Sequence, residues 1–393
     1  MLKLSKLFFH SGDPVVFCDR IEPTDAQRSF LVSCKDAIRD HLRPRIREVT
    51  IKVLGMAKAV DPRFRTQGSW AYRTCVQLPY CPPQEMDWDF GVYLPVTVWE
   101  ENGPPAAMAK AYFVLVENLL KDLCKTKGWT LISGKDTCIR VRVSEWAHID
   151  VPLYAAPERE FDLILEKAAR LFAKSGAVAH DAARLGDRTE SGELAEQAWE
   201  DLDQVVMATR SGEWKQSDPE AVSRWFNDRI LEHGEQLRRV CRYVKAWRDF
   251  QWPDGDGPSS VAIMIAVAQR FEAVRGRDDL ALEASMARLA EVLQGELREP
   301  SIDKGAEDFL RRLSGDQKGL AARRAAAVAY GLKQARSLTM PVSDQAVLTL
   351  RGHIGDRVPD RKDLIEPDDG ADDVRAVPAR RVTAPVVLAT SAG

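Results

Sequence analysis

The chain has 393 residues, 45% of them hydrophobic, enough for a sizeable core and long enough to favour two lobes over one. Lysine and arginine number 56 against 59 acidic residues, a formal charge of -3, so no global basic field exists to capture long nucleic acid nonspecifically. No apolar run reaches membrane-spanning length, and the apolar residues of segment 1–10 are interrupted by Lys3 and Lys6, too short a stretch for a signal peptide. The seven cysteines show neither Cys-x-x-Cys pairs nor zinc-type histidine spacing, and they read as reduced thiols in a cytoplasm.

In chain order, Thr24 and Gln27 have capping-box spacing, and the apolar positions that follow to Leu54 predict a long helix, with a kink or break at Pro44, able to brace two lobes. From 68 to 95 the pattern turns to a loop, a proline-rich turn at Pro79 and Pro82-Pro83, and then a strand from Met86 to Leu94. Residues 106–124 read as an amphipathic helix and 137–143 and 147–154 as strands, an alternation that predicts a mixed sheet with helices packed on it. Beyond Tyr154 strand signals nearly vanish, and 158–213 reads as helices with a surface excursion at 186–192. Ser217-Asp218-Pro219 looks like a helix start, and 221–250, 259–274, 280–297 and 305–338 read as the helices of a second lobe. Residues 366–393 lack helical period and are expected to form a mobile tail. The expected division is therefore a core at 1–215, a helical lobe at 216–365 and the tail.

Within this frame Asp87 and Asp89 stand out. Successive strand residues face opposite sides, so both carboxylates share one face while Met86, Trp88 and Phe90 share the other. An Asp-x-Asp pair by itself is common on surface strands; here it follows Gln67-Gly68-Ser69 and precedes His148-Ile149-Asp150, where a second strand delivers a third carboxylate. Three converging hard oxygens suit magnesium or manganese. Gly68-Ser69, opening a helix, offers backbone amides and a hydroxyl to phosphates. The chemistry that fits is two-metal transfer: one ion held by all three aspartates lowers the pKa of an acceptor hydroxyl, and a second held by Asp87 and Asp89 neutralises the triphosphate. No general base is needed, and His148 reads as structural.

On the helix near 240, Leu237, Val240, Cys241, Val244 and Trp247 recur at core spacing, leaving Arg238, Arg242 and Lys245 on another face. Such a face is ordinarily solvated charge, but a triphosphate on the sheet needs a cationic clamp from the facing lobe, and Lys245 is the candidate. Ser259 and Ser260, after Gly257-Pro258, read as an N-cap compatible with a phosphate contact. Arg140 and Arg142 share a strand face, where they reach base or phosphate or form structural ion pairs.

These residues resemble the cGAS/DncV-like nucleotidyltransferase (CD-NTase) family, its DncV-like bacterial clade in particular. The segments that carry the resemblance are Arg63-Phe64-Arg65-Thr66-Gln67-Gly68-Ser69, Glu85 to Asp89, His148 to Ala155, Ser217-Asp218-Pro219, Lys245-Ala246-Trp247-Arg248-Asp249 and Gly257-Pro258-Ser259-Ser260. The resemblance implies an α+β fold, a polymerase-β-like nucleotidyltransferase core with a helical C-terminal lobe and the active site in the cleft between them. It implies two Mg²⁺ ions, replaceable by Mn²⁺, on Asp87, Asp89 and Asp150. Gln67, Gly68, Ser69, Lys245, Ser259 and Ser260 would hold the donor triphosphate, Tyr72 would stack on a base, and Arg140 and Ser217 would hold the acceptor. The implied reaction joins ATP and/or GTP into a 3′,5′-linked ring, with cyclic GMP-AMP favoured, as a messenger to a nearby-encoded effector in anti-phage (CBASS) defence. A ubiquitin-transfer-like accessory enzyme is implied to conjugate the chain through Gly393. The competing expectation is a nucleotidyltransferase acting on a small molecule or an RNA end.

Overall fold

The computed structural model describes residues 1–12, 16–97, 99, 104–174, 199, 202, 204–302 and 307–370. The expected excursion at 186–192 and the terminal Gly393 lie outside them. The chain opens with β1 (Leu2–Lys3), α1 (Ser5–Phe8) and α2 (Phe17–Arg20), then enters α3 (Asp25–Leu54). The capping box is present: Thr24 Oγ1 accepts from the Gln27 N–H at 3.2 Å, and Gln27 Oε1 accepts from the Thr24 N–H at 2.9 Å. The helix runs unbroken through Pro44. A proline inside a helix costs about 3 kcal/mol, but Leu42 and Ile46 beside it are fully buried, and burial contributes about 1.5–3 kcal/mol per such side chain.

After α3 come β2 (Arg63–Gln67), α4 (Gly68–Ala71), β3 (Met86–Val96), α5 (Ala106–Lys127), β4 (Thr130–Ile132), β5 (Ile139–Ser144), β6 (Ala147–Val151), β7 (Leu153–Pro157) and α6 (Glu158–Lys174). β2 and β4 were not foreseen, nor were β8 (Val206–Ala208) and β9 (Trp214–Gln216), which extend the sheet; three residues each in β4, β8 and β9 carry too little alternation to be read. The strand order is β4-β5-β6-β3-β7-β8-β9, with β2 on the free side of β3. β3 pairs parallel with β6 through its first half and with β7 through its second, so the expected strand 147–154 is split at Pro152. Pro152 has no N–H to donate, while its carbonyl accepts from the Val92 N–H at 3.0 Å.

The second half is helical: α7 (Pro219–His233), α8 (Glu235–Gln251), α9 (Ser260–Ala268), α10 (Asp278–Val292), α11 (Gly315–Ser337) and α12 (Ser343–Ile354), closed by β10 (Glu366–Pro367). The helix expected over 221–250 is two helices meeting at Gly234, whose φ of 77° suits glycine and ends the first. α11 begins at a Ser314–Gln317 capping box, ten residues later than expected, and α12 was not foreseen.

Two main cores result. Ile38, Ile46, Phe64, Trp88, Phe90, Tyr112 and Ile149 are buried between the sheet, α3 and α5. Val240, Val244, Trp247, Ile263, Leu289 and Leu332 form the helical core, and Leu2, Leu4, Phe8, Phe17 and Ile21 join it. The first residues therefore pack with the last helices. β10 pairs with β1, and Arg277 Nη1 donates to Asp368 Oδ2 at 2.8 Å, so the expected mobile tail is fastened at its start.

Candidate active site

β3 carries the pattern expected of it: Met86, Trp88 and Phe90 are buried, Asp87 and Asp89 face the other way. Pairing in parallel register sets Asp89 opposite Asp150 and Asp87 opposite His148. Behind the strand, Trp70 stacks on Trp88 at 4.3 Å between ring centroids and donates from Nε1 to the Asp87 carbonyl at 3.0 Å, which ties α4 to the carboxylates. Gly68 is required at the turn. Its φ is 64°, and a Cβ there would lie 2.0 Å from Asp89 Oδ2.

The three carboxylates are electrostatically unequal. Burial, reinforced by the charges of Asp87 and Asp150, raises the Asp89 pKa to about 7. Among the described residues no hydrogen bond or ion pair holds its carboxylate. Asp150 is the reverse: burial opposes its charge, but Arg140 donates from Nε to Oδ1 at 2.6 Å and from Nη2 to Oδ2 at 2.7 Å, Lys135 donates to Oδ2 at 2.7 Å, and the pKa falls to about 2. Asp87 is the most open, 45% exposed in its side chain, with His148 Nε2 3.0 Å from its Oδ1. The contact is too poorly aligned for a hydrogen bond and leaves both buried atoms without one. His148 Nδ1 lies 2.8 Å from Glu85 Oε2, so the ring is braced from behind.

Asp87, His148 and Asp150 each offer a ligand atom within 4.8 Å of the others. A carboxylate oxygen that is buried, unpaired and beside two more acids fits a hard divalent cation. His148, expected as a structural strand residue, lies beside the two carboxylates in this group. Its signal was visible, in that it alternates with Asp150 on the strand beside Asp87.

Facing the sheet, Lys245 on α8 is 3% exposed and donates to the Thr74 carbonyl at 2.6 Å; burial lowers its pKa to about 8. Ser260, at the start of α9, has its Oγ 3.4 Å from Arg248 Nη2. Between the two walls lies a cavity of about 660 Å³ lined by Gln67, Gly68, Ser69, Tyr72, Asp87, Asp89, Asp150, Lys245 and Ser260. The remaining expected residues stand apart from it. Ser259 caps α9, accepting from the Ala262 N–H at 3.2 Å, and lines a neighbouring hollow. Arg140 lines another, with Arg142 and His148. Ser217 donates its backbone N–H to the Val205 carbonyl at 3.3 Å and lines none of these spaces.

Two expected roles meet competing bonds. The Gln67 amide donates to the Tyr93 hydroxyl at 2.6 Å and accepts from Tyr154 at 3.3 Å, and the Tyr72 ring is buried 6.3 Å from that of Phe226. Sequence reasoning missed Lys135, Arg248 and Arg312, all on the cavity wall; each sits in a loop or on a helix whose facing element only folding supplies.

The mixed sheet, its Gly-Ser turn and three carboxylates on adjacent parallel strands define the polymerase-β-like nucleotidyltransferase fold class. Residues 62–154 match the family model described as cyclic GMP-AMP synthase DncV-like, nucleotidyltransferase domain, and 234–367 that of the cyclic GMP-AMP synthase C-terminal domain, between them more than half of the chain. The chain belongs to the DncV-like nucleotidyltransferase family, as its motifs implied. It is 40% identical over 223 residues to the cyclic GMP-AMP synthase of Vibrio cholerae serotype O1, covering 55% of this chain and 48% of that protein. An Escherichia coli cyclic GMP-AMP synthase is 36% identical over 241 residues, 60% of this chain and 53% of that protein. The matches thus span about half the length of these curated relatives. Among solved structures, Vibrio cholerae DncV with the linear intermediate 5′ pppA(3′,5′)pG superposes with a TM-score of 0.71 at 24% identity over 93% of this chain and 98% of that one. Escherichia coli DncV in its 3′-deoxy GTP bound form gives 0.69 at 22% identity over 93% and 100%. At that identity the superpositions establish the shared fold.

Proposed function

We propose that the protein is a cyclic dinucleotide synthase that joins two ribonucleoside triphosphates, ATP and/or GTP, through 3′,5′ linkages, with cyclic GMP-AMP as the favoured product. The observation that carries this reading is the register of Asp87 and Asp89 with Asp150 across a cavity from buried Lys245. A volume of about 660 Å³ suits nucleotides, since small-molecule sites run roughly 300–1,000 Å³. The similar synthases named above support the product.

In each transfer a 3′-hydroxyl oxygen bonds to the donor α-phosphorus, the bond to the bridging oxygen breaks, and pyrophosphate leaves. Lys245 and the Gly68-Ser69 turn hold the triphosphate; Asp87, Asp89 and Asp150 would hold Mg²⁺ or Mn²⁺. When bound, those ions supply acidification of the hydroxyl and neutralisation of the leaving group. Arg140 fixes the Asp150 carboxylate by two hydrogen bonds, and Glu85 braces His148, whose Nε2 lies 3.0 Å from Asp87 Oδ1. Among the described residues no helix is long and apolar enough to cross a membrane, and the reading places the enzyme in the cytoplasm. Its cyclic product would activate an effector in anti-phage defence, and an accessory enzyme would conjugate Gly393.

The test is incubation of the purified protein with pairs of labelled ribonucleoside triphosphates and Mg²⁺, with products read by phosphatase resistance and mass spectrometry. A resistant cyclic dinucleotide is expected. Exclusively linear or acceptor-linked products would replace this reading with transfer to another acceptor. For conjugation, deletion of residues 391–393 is expected to abolish the covalent adduct and leave the intrinsic rate unchanged.

A further inference from the structure

Asp150 accepts three charge-assisted hydrogen bonds, and the two cations that donate them are held differently. Arg140 lies directly opposite Asp150 in the β5–β6 register, so its fork is placed by strand pairing, and it donates twice. Lys135 donates once, from the segment between β4 and β5, and its side chain is 41% exposed. The backbone of that segment is anchored, since Arg210 Nε donates to the Lys135 carbonyl at 2.9 Å. The side chain is therefore the mobile part: a four-carbon stem ending in one ammonium contact.

Both Asp150 oxygens are occupied by these cations, Oδ2 by both of them. Any divalent ion held jointly by Asp87 and Asp150 needs one of those oxygens, and a dication within a few ångströms of an ammonium repels it. Arg140 can leave only by breaking two hydrogen bonds set by strand register. Lys135 leaves by breaking one, swinging toward solvent on rotatable bonds.

Resting on the reading of this cluster as a divalent-metal site, we propose that Lys135 is a displaceable counter-ion of Asp150, holding the third carboxylate in the metal-free protein and leaving it when a metal ion binds. Lys135 then weakens metal binding in the absence of nucleotide. Arg140 is the fixed positioning residue of the same carboxylate. The released ammonium stays at the cavity, where a nucleotide phosphate is its natural next partner, so metal and nucleotide binding reinforce each other.

The experiment is Mn²⁺ titration of the nucleotide-free protein, with free ion read by electron paramagnetic resonance, for wild type, Lys135→Met, Lys135→Gln and Lys215→Met. Lys215 pairs with the adjacent Asp136 at 3.3 Å and controls for loss of a nearby charge. Both Lys135 variants are expected to bind Mn²⁺ about tenfold more tightly, the scale of one charge-assisted hydrogen bond, with Lys215→Met changed less than about twofold. Unchanged or weaker binding in the Lys135 variants, or an equal effect in Lys215→Met, overturns the proposal. Absence of Mn²⁺ binding in every form overturns it together with the metal reading. Since neither nucleotide nor turnover enters the readout, loss of the cyclase reading leaves the result standing, and an active cyclase with unaltered Mn²⁺ affinity in both Lys135 variants sinks this inference alone.

Discussion

On the sheet wall of the cavity Asp87, Asp89 and Asp150 are placed by backbone register, whereas on the helical wall Lys245, Arg248 and Ser260 are placed by bonds between side chains and loops. The difference shows in their charges. Strand pairing forces the acids together whatever their repulsion, and with burial this lifts Asp89 to about 7. Burial, helped by the charge of Arg248, brings Lys245 down to about 8. Asp89 on one wall and Lys245 on the other are therefore each pushed toward neutrality by their surroundings, and a ligand combining a divalent cation with a polyphosphate restores charge to both. The walls are tied together behind the cavity: Arg65 on β2 and Glu220 on α7 form a buried pair, both side chains 6% exposed, with Nε–Oε1 and Nη2–Oε2 each 2.8 Å.

The largest effect should come from stripping charge off the sheet wall. Asp87→Asn with Asp89→Asn is expected to lower turnover at least about 10³-fold, several kcal/mol of transition-state stabilisation, while the melting temperature holds or rises because like charges are removed. Residual turnover near wild type would end the role of that wall. Cutting the tie comes next. Glu220→Ala leaves Arg65 buried without its carboxylate and should cost about 3–5 kcal/mol in urea unfolding; a loss below 1 kcal/mol would mean that the walls are joined by packing alone.

A displacement without any charge change sharpens the comparison. Gly68→Ala drives a methyl group into the Asp89 carboxylate and is expected to slow turnover about 10²-fold, the scale of an ångström's misplacement, with the circular dichroism spectrum retained. The smallest effect lies on the helical wall. Burial depresses the folded pKa of Lys245 from the ordinary lysine value to about 8, so its ammonium is intact below pH 8 and lost above it. Triphosphate affinity should therefore fall about tenfold from pH 7 to pH 9 by calorimetry, as that proton dissociates. Lys245→Met should bind more weakly at pH 7 and show no such slope; an equally steep slope in the variant would assign the titration to another group.

Much of the sheet wall was legible because period-two alternation is local: the spacing of Asp87 and Asp89 and the flanking Ile149 and Val151 already set faces and partners. The helix caps at Thr24 and Asp218 were legible for the same reason. Pro44 misled because its local penalty is outweighed by burial of Leu42 and Ile46, which a single segment does not reveal. Gly234 was passed over within an otherwise helical pattern, and β8 and β9 were too short to register.

The sequence by itself determined the shared strand face of Asp87 and Asp89, the strand setting of Asp150 and the Gly-Ser turn, since each depends on residues within a few positions of one another. Tertiary structure alone decided that Leu2, Leu4, Phe8, Phe17 and Ile21 join the helical core, that Lys245 rests on the Thr74 carbonyl, and that Lys135 and Arg140 converge on Asp150. Those arrangements bring together residues separated along the chain or side chains whose direction the spacing leaves open. Their stability comes from burial and charge pairing, which exist once the elements have met.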